Sequence, residues 1–529
     1  MRTILGSKKV HYLVRLSVCL ITTALIAGMA GCVEHPPDEF AGGSGTAGDP
    51  YQITNWYHLS NVQDYLSANF RLMNDLDSTT PGYEELAGPI ANGGKGWQPI
   101  GTSGDSFDRV FDGQGYEIRD LYIDRPDESR IGLFSDIGEG GNVENVGVVN
   151  ADVTGHEIVG SLAGANMGTV SDSYFTGSVT GDQWVGGLVG GNDGSVSDSY
   201  STGSVIGNQH VGGLVGANFR DVINSYSTSN VTGHEIVGGL VGGSTLGIVS
   251  GSYSSGNVTG ERYVGGLVGA DMGTVSNSHS TSNVSGGQYV GGLVGVNEES
   301  EVTDSYSTGN VTGNSWIGGL VGFNDESDVS DSYSIGGVTG NENVGGLAGA
   351  NMGTVTNSHS TSNVTGEQYV GGLVGWNEGP VMCSYSTGSV IGNQHVGGLV
   401  GVNAIEVIDS YSAGNVTGEQ YVGGLAGEND GSVSDSYSTG GVSGNEYVGG
   451  LVGWNGVGYV DNSFWDTETS GQSTSDGGTG KTTAEMQDIA TFTGAGWDIV
   501  AVAHPSTRNF FYIWNIVDDV TYPFLSWQP

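Results

Sequence analysis

Val185-Gly186-Gly187-Leu188-Val189-Gly190 is one copy of a hexapeptide that returns every 26 or 27 residues. Its leucines run Leu162, Leu188, Leu214, Leu240, Leu267, Leu293, Leu320, Leu347, Leu373, Leu399, Leu425 and Leu451. Equal spacing over more than half the chain describes one supersecondary unit stacked on copies of itself, each too small to bury its apolar face alone. Short runs rich in valine and serine, bounded by Gly, Asn and Thr, join the copies. The expected coil has three strands: 185–190, 196–201 and one centred on Val205. So much glycine leaves no helical periodicity. Parallel stacking at roughly 4.8 Å per coil predicts an all-β parallel solenoid of 12 or 13 coils, a rod about 60 Å long.

Variation among the copies marks the structural positions. At the Asp198 position the twelve copies carry six Asp, four Asn, Gly251 and Cys383. These residues share tolerance of the left-handed backbone region, Cys383 excepted, so the position predicts a kink. Serine follows in every copy, from Ser173 to Ser463, and predicts an interior hydrogen-bonded ladder. Asn166, Asn192, Asn218 and Asn297 suit a turn after the glycine strand.

The flanks read differently. Residues 49–150 are expected to cap the open N-terminal end, which would otherwise invite edge-to-edge aggregation, and to supply irregular first coils. Asn55 is placed to cap a helix bearing Leu59, Val62 and Leu66 on one face, strands are expected at 70–73 and 116–123, and 131–134 is a degenerate further copy. The regular array occupies 151–465. Residues 466–529 form a C-terminal cap with a short helix behind Thr482 and Glu485, and the apolar run from Trp514 to Trp527 is expected to seal the rod.

Residues 1–32 read as an export signal: Arg2, Lys8, Lys9 and Arg15 precede an apolar run too short for a comfortable membrane span. The run closes at Met29-Ala30-Gly31-Cys32, which resembles a bacterial lipobox and implies lipid attachment at Cys32. An ordinary secretion signal cut near Ala30 is the other reading. Residues 33–48 then form a flexible tether. With Cys19 in the signal and Cys32 acylated, Cys383 has no partner for a disulfide.

The chain holds 57 acidic against 14 basic residues, and between 151 and 462 only Arg220 and Arg262 are basic. Such a surface repels nucleic acid and anionic lipid. Catalytic patterns are incomplete. His156-Glu157 and His234-Glu235 begin a zinc-peptidase motif, but Gly160 and Gly238 stand where the second histidine belongs. Gly480-Lys481-Thr482 lacks the leading glycine of a phosphate loop, and Asp466 and Glu468 lack the closing acid of a calcium loop at Gly477. No cofactor and no metal site is expected, although cations could condense on the acidic ladders.

The best functional candidates are a column of aromatics directly before each Val-Gly-Gly: Trp184, Tyr263, Tyr289, Trp316, Tyr369, Tyr421 and Tyr447, with His210 and His395 between them and breaks at Ile236 and Asn343. If the adjoining valine faces inward, strand alternation turns these rings outward. There, flanked by Gln183, Gln288, Gln368 and Gln420, they could engage sugars or a partner protein. A second column, Tyr174 to Tyr437 with His279 and His359, reads first as stacking between coils.

The hexapeptides, with Val-x-x-Ser-Tyr-Ser-Thr-Gly between them, resemble GLUG-motif repeats of large exported bacterial and archaeal surface proteins. Phe111-Asp112-Gly113-Gln114-Gly115-Tyr116 and Tyr522-Pro523-x-Leu525-x-Trp527 resemble segments flanking such repeats. The resemblance implies a right-handed β-helix and an adhesin-like role. The expectation is a non-catalytic, lipid-anchored protein of the cell envelope or surface. It would bind an extracellular glycan or surface protein multivalently, touching the membrane only through its anchor. A passive stalk is the alternative and a polysaccharide-active β-helix enzyme the third reading.

Overall fold

The computed structural model describes residues 39–528. The expected signal, Cys32 and residues 33–38 of the tether lie outside them. The rest of the expected tether, 39–48, is not a free linker: Phe40 is buried in the core, and Ala41 N–H donates to the Gln52 carbonyl at 3.0 Å while Gln52 N–H donates to that of Gly42 at 2.9 Å. Within them the chain winds as a parallel β-solenoid. Strands one coil apart pair residue for residue, Gln183 with Gln209, Val189 with Val215 and Tyr200 with Tyr226. A regular coil has five short strands where three were expected: Gln209–Gly212, Val215–Asn218, Asp221–Ile223, Tyr226–Ser227 and Asn230–Thr232.

Two corners account for the difference. The run 185–190 turns at its centre, where backbone approaches backbone. A Cβ on the equivalent Gly371 would lie 1.9 Å from the Val374 carbonyl oxygen, and one on Gly372 would lie 2.1 Å from that of Gly398 in the next coil. Only hydrogen fits there, which is why the pair Gly-Gly recurs. The run 196–201 bends at Asp198, and all twelve residues at that position have φ between +46° and +59°. The left-handed kink is therefore real, Cys383 included.

The corners turn five small apolar side chains of each coil inward. Val211, Leu214, Val215, Val222 and Val231 are all buried, and copies above and below extend them into one continuous core. Two polar ladders run alongside. Each kink serine takes the backbone N–H of the serine one coil earlier, as Ser199 N–H donates to Ser225 Oγ at 3.2 Å, and its own hydroxyl donates two residues back, Ser199 to the Ser197 carbonyl at 2.7 Å. The asparagines after the glycine strand are buried as well. Asn166 Nδ2 donates to Asn192 Oδ1, Asn324 to Asn351 and Asn403 to Asn429, each at 2.8 Å, so they form an amide ladder besides ending the strand. Buried amides that satisfy one another coil by coil carry no desolvation deficit.

At the N-terminal end, Asn55 accepts from the His58 N–H and caps the helix Trp56–Asn61. Leu59, Val62 and Leu66 are buried beneath it. Phe70–Leu72 is a strand, whereas 116–123 divides into Glu117–Arg119 and Tyr122–Asp124 around Asp120, whose φ is +60°. Phe134–Ile137 pairs in register with Ala163–Asn166 and is the degenerate coil. Phe40, Phe70, Phe107, Phe111 and Phe134 fill this end where the regular coils use valine.

The C-terminal end departs from expectation. Thr482 and Glu485 do form a capping box, at the start of Thr483–Met486. The rod itself is closed earlier: Trp465 is buried in its core, Thr479–Lys481 pairs with Phe464–Asp466, and Ser475 accepts from the Leu451 N–H at 3.1 Å. The apolar run from Trp514 to Trp527 lies along the flank instead. There it covers Tyr385, Tyr411, Tyr437 and Phe464, the last rings of the tyrosine column. Trp514 Nε1 donates to Asp409 Oδ1 and Trp527 Nε1 to the Cys383 carbonyl, both at 3.0 Å, while Trp497 Nε1 reaches the Asn462 carbonyl at 2.7 Å. Three indoles thus grip three kink positions. Replacing both Trp514 and Trp527 by alanine should release this segment at a cost of several kcal/mol. Limited proteolysis is expected to cut within 484–528 while the β signal in circular dichroism persists.

Candidate functional site

Each coil places a second residue in the left-handed region, the one before Val-Gly-Gly. From Trp184 through Tyr447 all eleven have φ between +52° and +58°. At the kink, that backbone is served by Asp, Asn and Gly. Here it is served mostly by Trp, Tyr and His, for which it costs roughly 1–2 kcal/mol apiece. Asn343 is the one residue in the column that suits it. The rings emerge through this left-handed residue, not through strand alternation, and apart from the exposed Tyr447 they lie half-buried across the neighbouring strand. A Cβ on Gly243 would meet the His210 ring at 3.0 Å and Ile236 at 3.2 Å.

The column falls into runs. Trp184 meets His210 edge-on at 6.4 Å, and Ile236 then interrupts the rings. Tyr263, Tyr289 and Trp316 stack at 5.1 and 4.6 Å. After Asn343, Tyr369, His395, Tyr421 and Tyr447 stack at 5.1, 4.6 and 4.9 Å. Trp376 stands perpendicular to Tyr369 at 5.0 Å, and Trp454 is tilted against Tyr421 at 5.8 Å. His395 Nδ1 lies 2.6 Å from Glu428 Oε2. In this second run the space beside the rings is filled.

Around the first break it is open. A groove of about 610 Å³ runs along the rod with Trp184, His210, Ile236, Tyr263 and Tyr289 as one wall. Its floor holds the small residues Ala217, Gly243 and Ala270, and Phe323 stops one end. Phe219, Thr245, Met272, Glu298 and Asp325 make the other wall. Beside that wall Leu246, Ile248 and Met272 are exposed at 86%, 43% and 42%, on strands paired through Thr245–Met272 and Ile248–Thr274. Apolar side chains gathered at the edge of a cleft mark an interaction surface more often than chance. Of the predicted residues, the groove gathers Trp184, Tyr263 and Tyr289. Trp316 stacks behind Tyr289, whereas Tyr369, Tyr421 and Tyr447 belong to the filled run.

The amide ladder is broken beneath the groove. Ser244 and Asp271 replace asparagine in two consecutive coils. Along the ladder Asn218 Nδ2 now meets the Ser244 hydroxyl at 3.4 Å, besides donating to the Arg220 carbonyl, and Asp271 Oδ2 accepts from Ser300 Oγ at 3.3 Å. Asp271 Oδ1 is buried without a partner. Burial pushes this carboxyl up to about 7, opposed by hydrogen bonds from Ser244, Ser300 and the Gly273 backbone. Sequence reasoning missed Asp271, Phe219 and Phe323, yet a signal existed, because Ser244 and Asp271 depart from an otherwise regular asparagine column.

The protein so described is a coil-repeat β-solenoid with an aromatic groove on one flank. It carries repeats of a known kind: the family model described as the GLUG motif matches residues 185–206, 207–232, 286–312, 340–365 and 418–443. The chain is 38% identical over 138 residues to a candidate Gly-rich membrane protein of Evansella cellulosilytica, covering 25% of this chain and 15% of that one. It is 30% identical over 140 residues to halomucin of Haloquadratum walsbyi, covering 26% of this chain and 2% of the relative. The chain therefore spans only a small part of these relatives. A solved structure described as a candidate immunoglobulin A1 protease from Bacteroides ovatus is 24% identical over 51% of this chain and 78% of its own. Its TM-score of 0.36 carries no argument about activity.

Asp271 gives a titratable prediction. With its pKa raised in the fold, its contribution to stability is present at low pH and is lost as pH rises through about 7. Asp271→Asn restores the ladder residue and removes that titration. Its gain in Tm over the parent should be several degrees at pH 8 and distinctly smaller at pH 5, measured by differential scanning calorimetry.

Proposed function

We propose that this is a non-catalytic, adhesin-like protein of the cell envelope that holds an extracellular ligand, a glycan or a surface protein, in the aromatic groove. The supporting observation is the set of rings at a backbone position that disfavours them. An array under selection for stability alone would place Asn or Gly there, as the kink column does. Aromatic side chains maintained against that cost, beside an open groove with a small-residue floor, fit a ligand with flat apolar faces and hydrogen-bonding edges. The ligand is held chiefly over the coils from Trp184 to Phe323, and the remaining coils extend the contact or display the groove at a distance. Attachment through Cys32 would tether the rod, and the membrane protein among the relatives supports placement at the envelope. Catalysis has no comparable support: Glu157–Val159 and Glu235–Gly238, the sites of the two partial zinc motifs, are strands and not helices.

A passive stalk is favoured by one observation. In the tyrosine column, rings from Tyr174 to Tyr437 stack in unbroken series, the first pairs 4.8 Å apart, which stiffens a rod and needs no ligand.

The two readings separate in a binding experiment on glycan arrays and intact cells, using the chain without its first 32 residues. Trp184→Asn, Tyr263→Asn and Tyr289→Asn together should leave the fold intact, since asparagine suits their backbone, and should lower affinity at least tenfold. Tyr369→Asn with Tyr421→Asn should change it less than threefold. A well-folded parent that binds nothing would leave the stalk. Separately, Cys32→Ser should move the protein from the membrane fraction to the soluble one.

A further inference from the structure

The groove carries charge of one sign. Asp271 lies beneath it, Glu298 and Asp325 stand in its wall, and no lysine or arginine lines it. Of the two bases in the array, Arg262 is committed elsewhere: its Nη1 lies 3.4 Å from Glu235 Oε1, and its guanidinium covers the Tyr263 ring and donates to the Tyr263 hydroxyl at 2.8 Å. Arg220, which follows Phe219 in the chain, is exposed and does not line the groove. His210 is held neutral, because burial lowers its pKa more than nearby Glu235 raises it.

Asp271 is the unusual member. Ten of the twelve copies keep an amide at this position, and Ser244 alone avoids both amide and charge. A carboxylate cannot donate to the next coil as an amide does, so it interrupts the ladder, and its Oδ1 is left buried without a donor. A lone buried carboxylate is costly unless a positive charge or donor compensates it. Hydroxyl and backbone donors reach it through Ser300, Ser244 and Gly273, but no cationic side chain lines the groove to neutralise it. With its pKa raised to about 7, the carboxyl is largely protonated in the empty groove at pH 6.5, and an ammonium above it would favour the ionised form, whose field is little screened by water at that depth. The faces of Trp184, Tyr263 and Tyr289 attract a cation in the same way, through the negative charge over each ring.

We propose that the groove binds a glycan whose sugars carry free amino groups, with pyranose faces against the aromatic wall and an ammonium group above Asp271. This rests on the reading of the groove as a ligand site and narrows it. Neutral sugars would satisfy the rings but bring no positive charge to Asp271. Anionic sugars would add repulsion in a chain whose formal net charge is −43. A cationic peptide would satisfy the charge without presenting ring faces to the wall.

The test is calorimetric titration of the chain lacking its first 32 residues, at pH 6.5 and low salt, with four probes: the tetramer of glucosamine, the tetramer of N-acetylglucosamine, cellotetraose and tetralysine. The glucosamine tetramer should bind at least tenfold more tightly than the other three. Asp271→Asn, whose fold is checked by its Tm, should remove most of that advantage and leave the neutral tetramers unchanged. Equal binding of neutral and amino tetramers would overturn the charge inference while keeping the groove as a sugar site. Tetralysine binding as tightly as the glucosamine tetramer would overturn the choice of a glycan. Binding of the amino tetramer that survives Asp271→Asn would overturn the role of that carboxylate. No binding by any probe would overturn the inference, and the groove reading with it if the arrays are also blank.

Discussion

The register between successive coils is the constraint on which everything else rests. Parallel pairing sets Val189 on Val215 and Tyr200 on Tyr226, so any residue type repeated in sequence becomes a column in space. Valines alone would slide, because an apolar contact is indifferent to small displacements. The buried asparagines and serines are not indifferent. An amide that must donate to the amide above it, and a hydroxyl that must accept from the backbone below, hold each coil at one height and one rotation. A one-residue slip would leave both ladders unsatisfied inside the rod and turn the valines outward.

Against that background the two left-handed columns separate stability from recognition. The kink column selects residues for their backbone tolerance, and it does so in eleven of twelve copies. The ring column selects against tolerance. Stacking recovers part of the cost where rings are consecutive, as in Tyr289 on Trp316, and the filled run adds Trp376 and Trp454 to support it. Around Ile236 the stack itself is interrupted, although Phe219 and Phe323 lie against Trp184 and Tyr289, and there the floor is small, the lip apolar and the amide ladder interrupted. The repeat pattern is broken beside the groove, which is the usual distribution when part of a fold serves a ligand.

Much of this was legible in the sequence because the repeat itself is a comparison between homologous positions. Twelve copies with Asp, Asn, Gly and Cys at one site reveal a kink, and twelve serines reveal a ladder. The asparagines misled for a physical reason. Asn is favoured both in turns and in buried amide stacks, and a single coil does not distinguish the two. The rings were assigned outward by alternation, which fails because a left-handed residue interrupts the pleat just before the glycines. The groove was hidden in mismatches, Ile236, Ser244 and Asp271, each of which looks like noise when the consensus is the object of study. The path of the final segment could not be read at all, since Trp527 and Cys383 meet across 144 residues through contacts that no local pattern encodes.

That returning segment also decides how the rod bears load. A solenoid pulled from its end peels one coil at a time, because each coil is held only by its neighbour. Here the last residues leave from the flank beside His359 and Tyr385, not from the tip, since Trp527 lies within 6.0 and 5.7 Å of those two rings. Tension applied there is shared first among the indole hydrogen bonds and the tyrosine stack before any terminal strand is unzipped. The fold-back works as a splice, binding the outermost coils to those behind them.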